Sequence, residues 1–175
     1  MVKVIVRGVT FAALAILAFF IFAATGPDTF RIERNVSIKA PPDKIFPYID
    51  DFHHWTAWCP WDKGNPEMKR QYSGSQSDKG AVYQWNGNDK LGGGRMEIID
   101  ATPPSKVVIQ IDLPKGHNNA DFTLVPDGDA TKVTWAVYGK CDFRMKVLNC
   151  YGVPDRVIGK ELLDGLTNLK SAAEK

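Results

Sequence analysis

Residues 106–140 read KVVIQIDLPKGHNNADFTLVPDGDATKVTWAVYGK, and in three parts of this stretch apolar side chains fall at every second position. Val107, Ile109, Ile111 and Leu113 make one row, Phe122 and Leu124 a second, and Val133, Trp135 and Val137 a third. Alternation with a period of two puts these residues on one face of β-strands, with polar neighbours on the other. The intervening PDGD is a turn signal, so adjacent stretches pair antiparallel and bury one common face.

The pattern extends upstream. KRQYSG (69–74), GAVYQWNGN (80–88) and GGGRMEIIDA (92–101) add three strands, with inward rows Ala81, Tyr83, Trp85 and Met96, Ile98 and with NGND as a hairpin turn. FRIERNVSIKA (30–40) is a further strand with Phe30, Ile32, Val36 and Ile38 on one face. Between it and the six others, PPDKIFPYIDD starts as a helix at its prolines, and Pro47 then removes an interior N–H, so this helix is short or kinked. DFHHWTAW (51–58) reads as a second brief helix and CPWDKGNP (59–66) as loop. The chain closes with VPDRVIGKELLDGLTNLKSAAEK, in which Ile158, Leu162, Leu166, Leu169 and Ala173 form one apolar helical stripe. The concave face of the sheet is the surface large enough to receive that stripe.

At 175 residues the chain suits one domain, residues 30–175, with an appendage at 1–26. The appendage carries no charge from Gly8 to Gly26 and, with the preceding VIV, reaches the ~20 residues that span a bilayer as a helix. Bulky Ile21 and Phe22 occupy the positions where signal cleavage wants small residues, and Pro27 follows the one window that suits, so the segment reads as a retained transmembrane anchor. Basic residues flank it on both sides, and the positive-inside rule does not choose between orientations. A short basic tail before a long apolar run is how export signals are built, which puts the globular part on the extracytoplasmic, periplasmic side.

The net charge of +2 and the scattered basic residues leave no footprint for nucleic acid. Cys59, Cys141 and Cys150 lack zinc-site spacing; Cys141 and Cys150 either bridge in an oxidising compartment or remain small thiols. His53 and His54 are adjacent, so on a helix they point about 100° apart and do not converge on a metal.

The ordered set IERNVSIKAPPDKIF, WTAWCPW, YSG, GAVYQWNGN, GGGRMEI, TKVTW and IGKELLDGLTNLK resembles the polyketide cyclase/dehydrase-like branch of the START-like (SRPBCC) superfamily, over roughly residues 30–175. The resemblance implies an α+β helix-grip fold: a curved seven-stranded antiparallel sheet wrapped around a long C-terminal helix, here preceded by one transmembrane helix. It also implies an apolar cavity between sheet and helix. The lining expected from strand and helix parity is Trp85, Met96, Trp135, Ile109, Phe122, Leu162 and Leu166, with Tyr83 and Trp58 near the opening. Of the triplet Trp55, Trp58 and Trp61, at least one is expected at the cavity or its mouth.

No residue takes a catalytic role in this reading, and no metal or cofactor is called for. Among the carboxylates outside the helices, Asp62, Glu67, Asp89, Glu97, Asp112 and Asp121, none has an evident partner in an interior position, and Glu97 turns to solvent beside Met96 and Ile98. The resulting expectation is a membrane-tethered binding protein for a small hydrophobic ligand such as a lipid, a polyketide or an aromatic compound. Two alternatives stand beside it. A cyclase/dehydrase-like enzyme would need an inward polar cluster, for which the strands offer Tyr72, Tyr83 and Asp121; an envelope interaction protein would have its interior filled by side chains.

Overall fold

Seven strands pair antiparallel throughout: β1 (Thr29–Ile38), β2 (Lys69–Gly74), β3 (Ala81–Asn86), β4 (Gly93–Thr102), β5 (Lys106–Leu113), β6 (Gly116–Asp127) and β7 (Ala130–Lys140). They were traced in a computed structural model that describes residues 2–63, 67–87, 92–114 and 116–175. The order β1-β7-β6-β5-β4-β3-β2 is a meander in which the first strand returns to lie beside the last. Alternation sets the register: Val36 faces Val133, Phe122 faces Trp135 and Ile98 faces Ile109, so apolar residues oppose apolar residues along the inner face. The PDGD turn places Asp127 opposite Ala130, with Gly128 at a φ of 63°. The NGND turn lies partly outside the described residues.

Strand β6 begins at Gly116, earlier than its hydrophobic row suggests, because His117 and Asn118 continue the ladder opposite Asp112 and Ile111. In β4 a bulge between Ile98 and Asp100 shifts the register, so Asp100, which by simple parity would share the inner face, is exposed.

The helices follow their local signals. Pro47 divides the first helical segment into α2 (Pro42–Ile45) and α3 (Pro47–Asp50). A 3-10 turn spans Phe52–Ala57, and the Asp51 carboxylate caps it by accepting from the His53 backbone N–H at 2.9 Å. Residues 60–63, expected as loop, form one helical turn, α4 (Pro60–Lys63), with proline in the first position. The final helix is α6 (Val153–Ala173), and its buried residues include Leu162, Leu166, Leu169 and Ala173 of the expected stripe. The sequence reading had no element before it. Here α5 (Phe143–Cys150) forms, capped by Asp142, which accepts from Met145 N–H at 2.7 Å, yet it buries no side chain and so carries no apolar stripe to reveal it.

The N-terminal helix α1 (Val2–Ala24) is apolar, and its stretch Val6–Ala24, apolar and long enough to cross a membrane, is almost wholly exposed, with Ala23 buried. It ends beside the edge of the sheet where β1 starts and β7 finishes. The same edge carries Trp85, Gly94, Leu113 and Asn118, as the registers Trp85 to Gly94, Leu113 to Gly116 and Asn118 to Gly139 require. This will be called the near end. At the far end α2, α3 and the 3-10 turn close the interior with Ile45, Ile49 and Phe52, all essentially inaccessible.

Asp50 at the end of α3 is half-buried beside Asp51 and Asp78. Burial first, and then the charges of those two carboxylates, push its pKa from 3.8 up to about 6. The folded state therefore holds this proton more tightly than the unfolded chain, and Asp50 subtracts stability as pH rises from 3.8 through about 6. Asp50→Asn is expected to raise stability above pH 6 and leave it little changed below 3.8, as read from the difference between the two unfolding curves across that range.

Candidate functional site

The interior is not filled evenly. Ile98, Ile109, Phe122, Leu124 and Leu162 are packed to 2 % exposure or less. Toward the near end the sheet and α6 diverge around a cavity of about 310 Å3. Its sheet wall is Tyr83 and Trp85 of β3, Met96 of β4, Ile111 and Leu113 of β5, Asn118 and Ala120 of β6, and Trp135 and Val137 of β7. Ile158 closes it from α6, Trp55 from the 3-10 turn, Trp61 and Asp62 from α4, and Cys59 and Met68 from the stretches either side of α4. Trp61 and Leu113, 38 % and 40 % exposed, stand where it meets solvent. A wider groove of about 1210 Å3 adjoins it, sharing Leu113 and Asn118 and running past Phe30 to Asp142 and Met145 beside α5.

Two glycines shape the walls. In β4 the Trp85 indole lies over Gly94, where any Cβ would collide with the ring. In α6 Gly165 admits Trp135: a Cβ there would lie 2.7 Å from the Trp135 Cζ3 and 3.0 Å from the Pro60 Cδ. Trp135 also stacks on Phe122, with ring centroids 4.9 Å apart, and takes edge contacts from Trp55, Trp58 and Trp61.

The wall is mostly apolar, and its polar groups are few. The Trp135 Nε1–H is buried and has no hydrogen-bond partner among the described residues. By contrast Trp55 donates to Ile49 O at 3.0 Å and Trp58 to Tyr48 O at 2.8 Å. Since the Cζ3 edge of Trp135 meets α6, its Nε1 edge turns away from that helix. The second polar feature is Asp62, 3 % exposed, whose carboxylate accepts from Arg70 Nε at 2.5 Å and from the Tyr83 hydroxyl at 3.1 Å. Burial, with the Asp62 charge behind it, raises the Tyr83 pKa, so the phenol stays protonated. Burial also pushes the Cys59 thiol up to about 12, making it a small apolar wall group.

Of the residues expected to line a cavity, Trp85, Met96, Trp135 and Tyr83 do so. Ile109, Phe122, Leu162 and Leu166 do not: they face inward but are fully buried in solid core that does not border the cavity. Trp58, expected near the opening, is fully buried behind Trp55 and Trp135, its indole tied to Tyr48. Trp61 takes that place, and Trp55 lines the cavity from a fully buried position. Ala120, Asn118 and Ile158 were missed although parity and the α6 stripe mark two of them as inward.

The other candidates lie elsewhere. The His53 ring meets Asp51 at 2.6 Å and stacks on Tyr72, while His54 contacts Pro47 O. Asp121 pairs with Arg31, Glu97 with Arg95, and Asp112 with His117 and Arg95. Glu67 is exposed, and Asp89 lies outside the described residues. All three cysteines are free thiols, with Cys141 buried and Cys150 exposed.

A family model described as polyketide cyclase / dehydrase and lipid transport matches residues 29–174. Among solved structures, norcoclaurine synthase from Thalictrum flavum, in complex with dopamine and hydroxybenzaldehyde, is 12% identical at a TM-score of 0.63, covering 82% of this chain and 86% of its own. The di-domain aromatase/cyclase StfQ of the steffimycin biosynthetic pathway is 13% identical, also at 0.63, covering 83% of this chain and 51% of its own. The Aha1 dimer from Colwellia psychrerythraea is 20% identical at 0.55, covering 83% and 96%. At these identities the likeness is one of fold. No curated protein matches the chain.

Gly165→Ala provides a test of how Trp135 is held. Helix propensity alone favours alanine by about 1 kcal/mol, whereas crowding a packed interior costs about 1–3 kcal/mol. The expected net result is a loss of stability by denaturant unfolding. A gain would show that Trp135 does not sit against α6.

Proposed function

The chain belongs to the polyketide cyclase / dehydrase and lipid transport family, and from that premise we propose a membrane-tethered protein that binds a small hydrophobic ligand carrying one hydrogen-bond acceptor. Family and fold neighbours support ligand-binding or cyclase-type function. The observation that carries the finer reading is the near-end cavity, whose volume falls at the lower end of the roughly 300–1,000 Å3 usual for small-molecule sites. Its wall is aromatic and aliphatic and includes Trp135, whose Nε1–H is, among the described residues, the buried side-chain donor left without a partner. Leaving a buried donor unmade costs about 1–3 kcal/mol, and an ester, ketone or acid oxygen on the ligand would relieve that cost. Tyr83 and Asp62 cap the opposite wall as a satisfied pair that tolerates apolar neighbours. The tether is α1, and the domain of residues 30–175 stands outside the cytoplasm in this reading.

A catalytic reading has one supporting observation, the buried carboxylate of Asp62 at the cavity wall with a protonated Tyr83 bound to it. Arg70 donates to one Asp62 oxygen and Tyr83 to the other, so both oxygens already serve to hold the wall together. Binding is therefore the better account.

Ala120→Phe places a ring in the cavity from the floor of β6. In the full-length chain released from mild detergent, native mass spectrometry is expected to find a small co-purifying adduct at one per chain, lost in Ala120→Phe with little change in melting. A solid interior would reverse both results: no adduct in the parent, and a stability loss of about 1–3 kcal/mol in the variant from overpacking.

A further inference from the structure

Helix α5 and the first turns of α6 leave a run of large apolar side chains uncovered. Phe143, Leu148, Tyr151, Val153 and Val157 are between 37 % and 60 % exposed. Their position relative to α1 is set by direct contacts. Phe20 of α1 meets Phe143 with ring centroids 6.1 Å apart, and Phe19 meets Tyr151 at 5.7 Å. Lys146 ties the same corner to the end of α1, donating to Ala24 O at 3.3 Å and to the Asp28 carboxylate at 2.6 Å. Phe19 and Phe20 lie four to five residues before Ala24, which is roughly 6–8 Å down the helix axis at 1.5 Å per residue. A helix lying in a membrane surface buries its apolar side by about 5–10 Å. If α1 spans the bilayer, Phe143 and Tyr151 have that depth imposed on them.

We infer that α5 and the α5–α6 corner are seated in the lipid interface, so that the near-end cavity faces the headgroup layer and exchanges its ligand directly with the bilayer. The inference rests on the reading of α1 as a membrane span. Arg144 and Arg156 are exposed among these apolar residues and suit anionic headgroups, beside exposed Asp142 and an Asp155 paired with Arg34. The groove beside α5 supplies the route: it runs from Met145 and Phe30 to Leu113 and Asn118, where the cavity begins. Uncovered apolar area, imposed depth and the direction of the cavity thus select a bilayer as the occupant of this face.

Cys150, exposed on α5, allows a direct measurement of depth in the full-length chain, because Cys59 and Cys141 are buried. A nitroxide on Cys150 would be compared with labels at Leu14→Cys in α1 and Gln76→Cys in the β2–β3 turn at the far end, each in a Cys150→Ser background. The protein is reconstituted in vesicles of phosphatidylcholine with phosphatidylglycerol, and collision with oxygen is measured against collision with a water-soluble nickel chelate. The expected order of depth is Leu14, then Cys150 at the interface, then Gln76 in water. A deep Leu14 label with Cys150 as wet as Gln76 would leave the tether standing and overturn the seating of α5. A wet label at Leu14 would remove the membrane span itself and the inference with it.

Discussion

Everything at the near end depends on how Trp135 is seated. Its ring stacks on Phe122, receives the edges of Trp55, Trp58 and Trp61, and rests on the bare backbone of Gly165. A large rigid side chain at that point fills the space between β7 and α6. Leu162 and Leu166 of α6 and Ile109 of β5 are fully buried, whereas Ala120, Val137 and Ile158 border the cavity. A glycine inside a helix costs roughly 0.5–1 kcal/mol, and the packing it permits against the indole offsets that cost.

Charge in the interior is handled by pairing. Asp62 is almost fully buried at the cavity wall, and a lone carboxylate there would be costly to desolvate. Arg70, whose ordinary pKa is raised further by its hydrogen bond to Asp62, supplies the counter-charge, and Tyr83 supplies a second donor. Breaking such a pair leaves an uncompensated charge, whereas the intact pair adds little to net stability, so its main effect is to fix the loop that carries Trp61 against β2 and β3. The cavity is thereby bounded by one rigid wall of aromatic residues and one pinned by a salt bridge.

The strands were legible because Val107 to Leu113 and Val133 to Val137 alternate without interruption, and α6 because Ile158 to Ala173 keep one stripe. Parity also reported which residues face inward, and Trp85, Met96, Trp135 and Tyr83 follow from it. Parity does not report which inward residues border empty space, however: Ala120 lines the cavity while its register partner Ile109 is solid core, and Trp135 lines it while its partner Phe122 does not. The two glycines that decide the matter, Gly94 and Gly165, look like a loose strand entry and an ordinary helical weakness until the indoles above them are seen. Helix α5 escaped notice for a related reason: it buries no side chain fully, and Phe143 and Leu148 stay largely exposed, so they complete no pattern that the core would impose.

The central claim is that Trp135 presents an unsatisfied donor to a ligand cavity, and its indole N–H signal reports that directly. Proton–nitrogen correlation spectra of the full-length chain, recorded while methyl decanoate is added, contain internal controls in Trp55 and Trp58, whose N–H groups are already bonded to Ile49 and Tyr48. The account predicts that the Trp135 N–H moves downfield as it acquires the ester carbonyl while those two stay in place. A saturating titration in which the Trp135 signal does not move would contradict it.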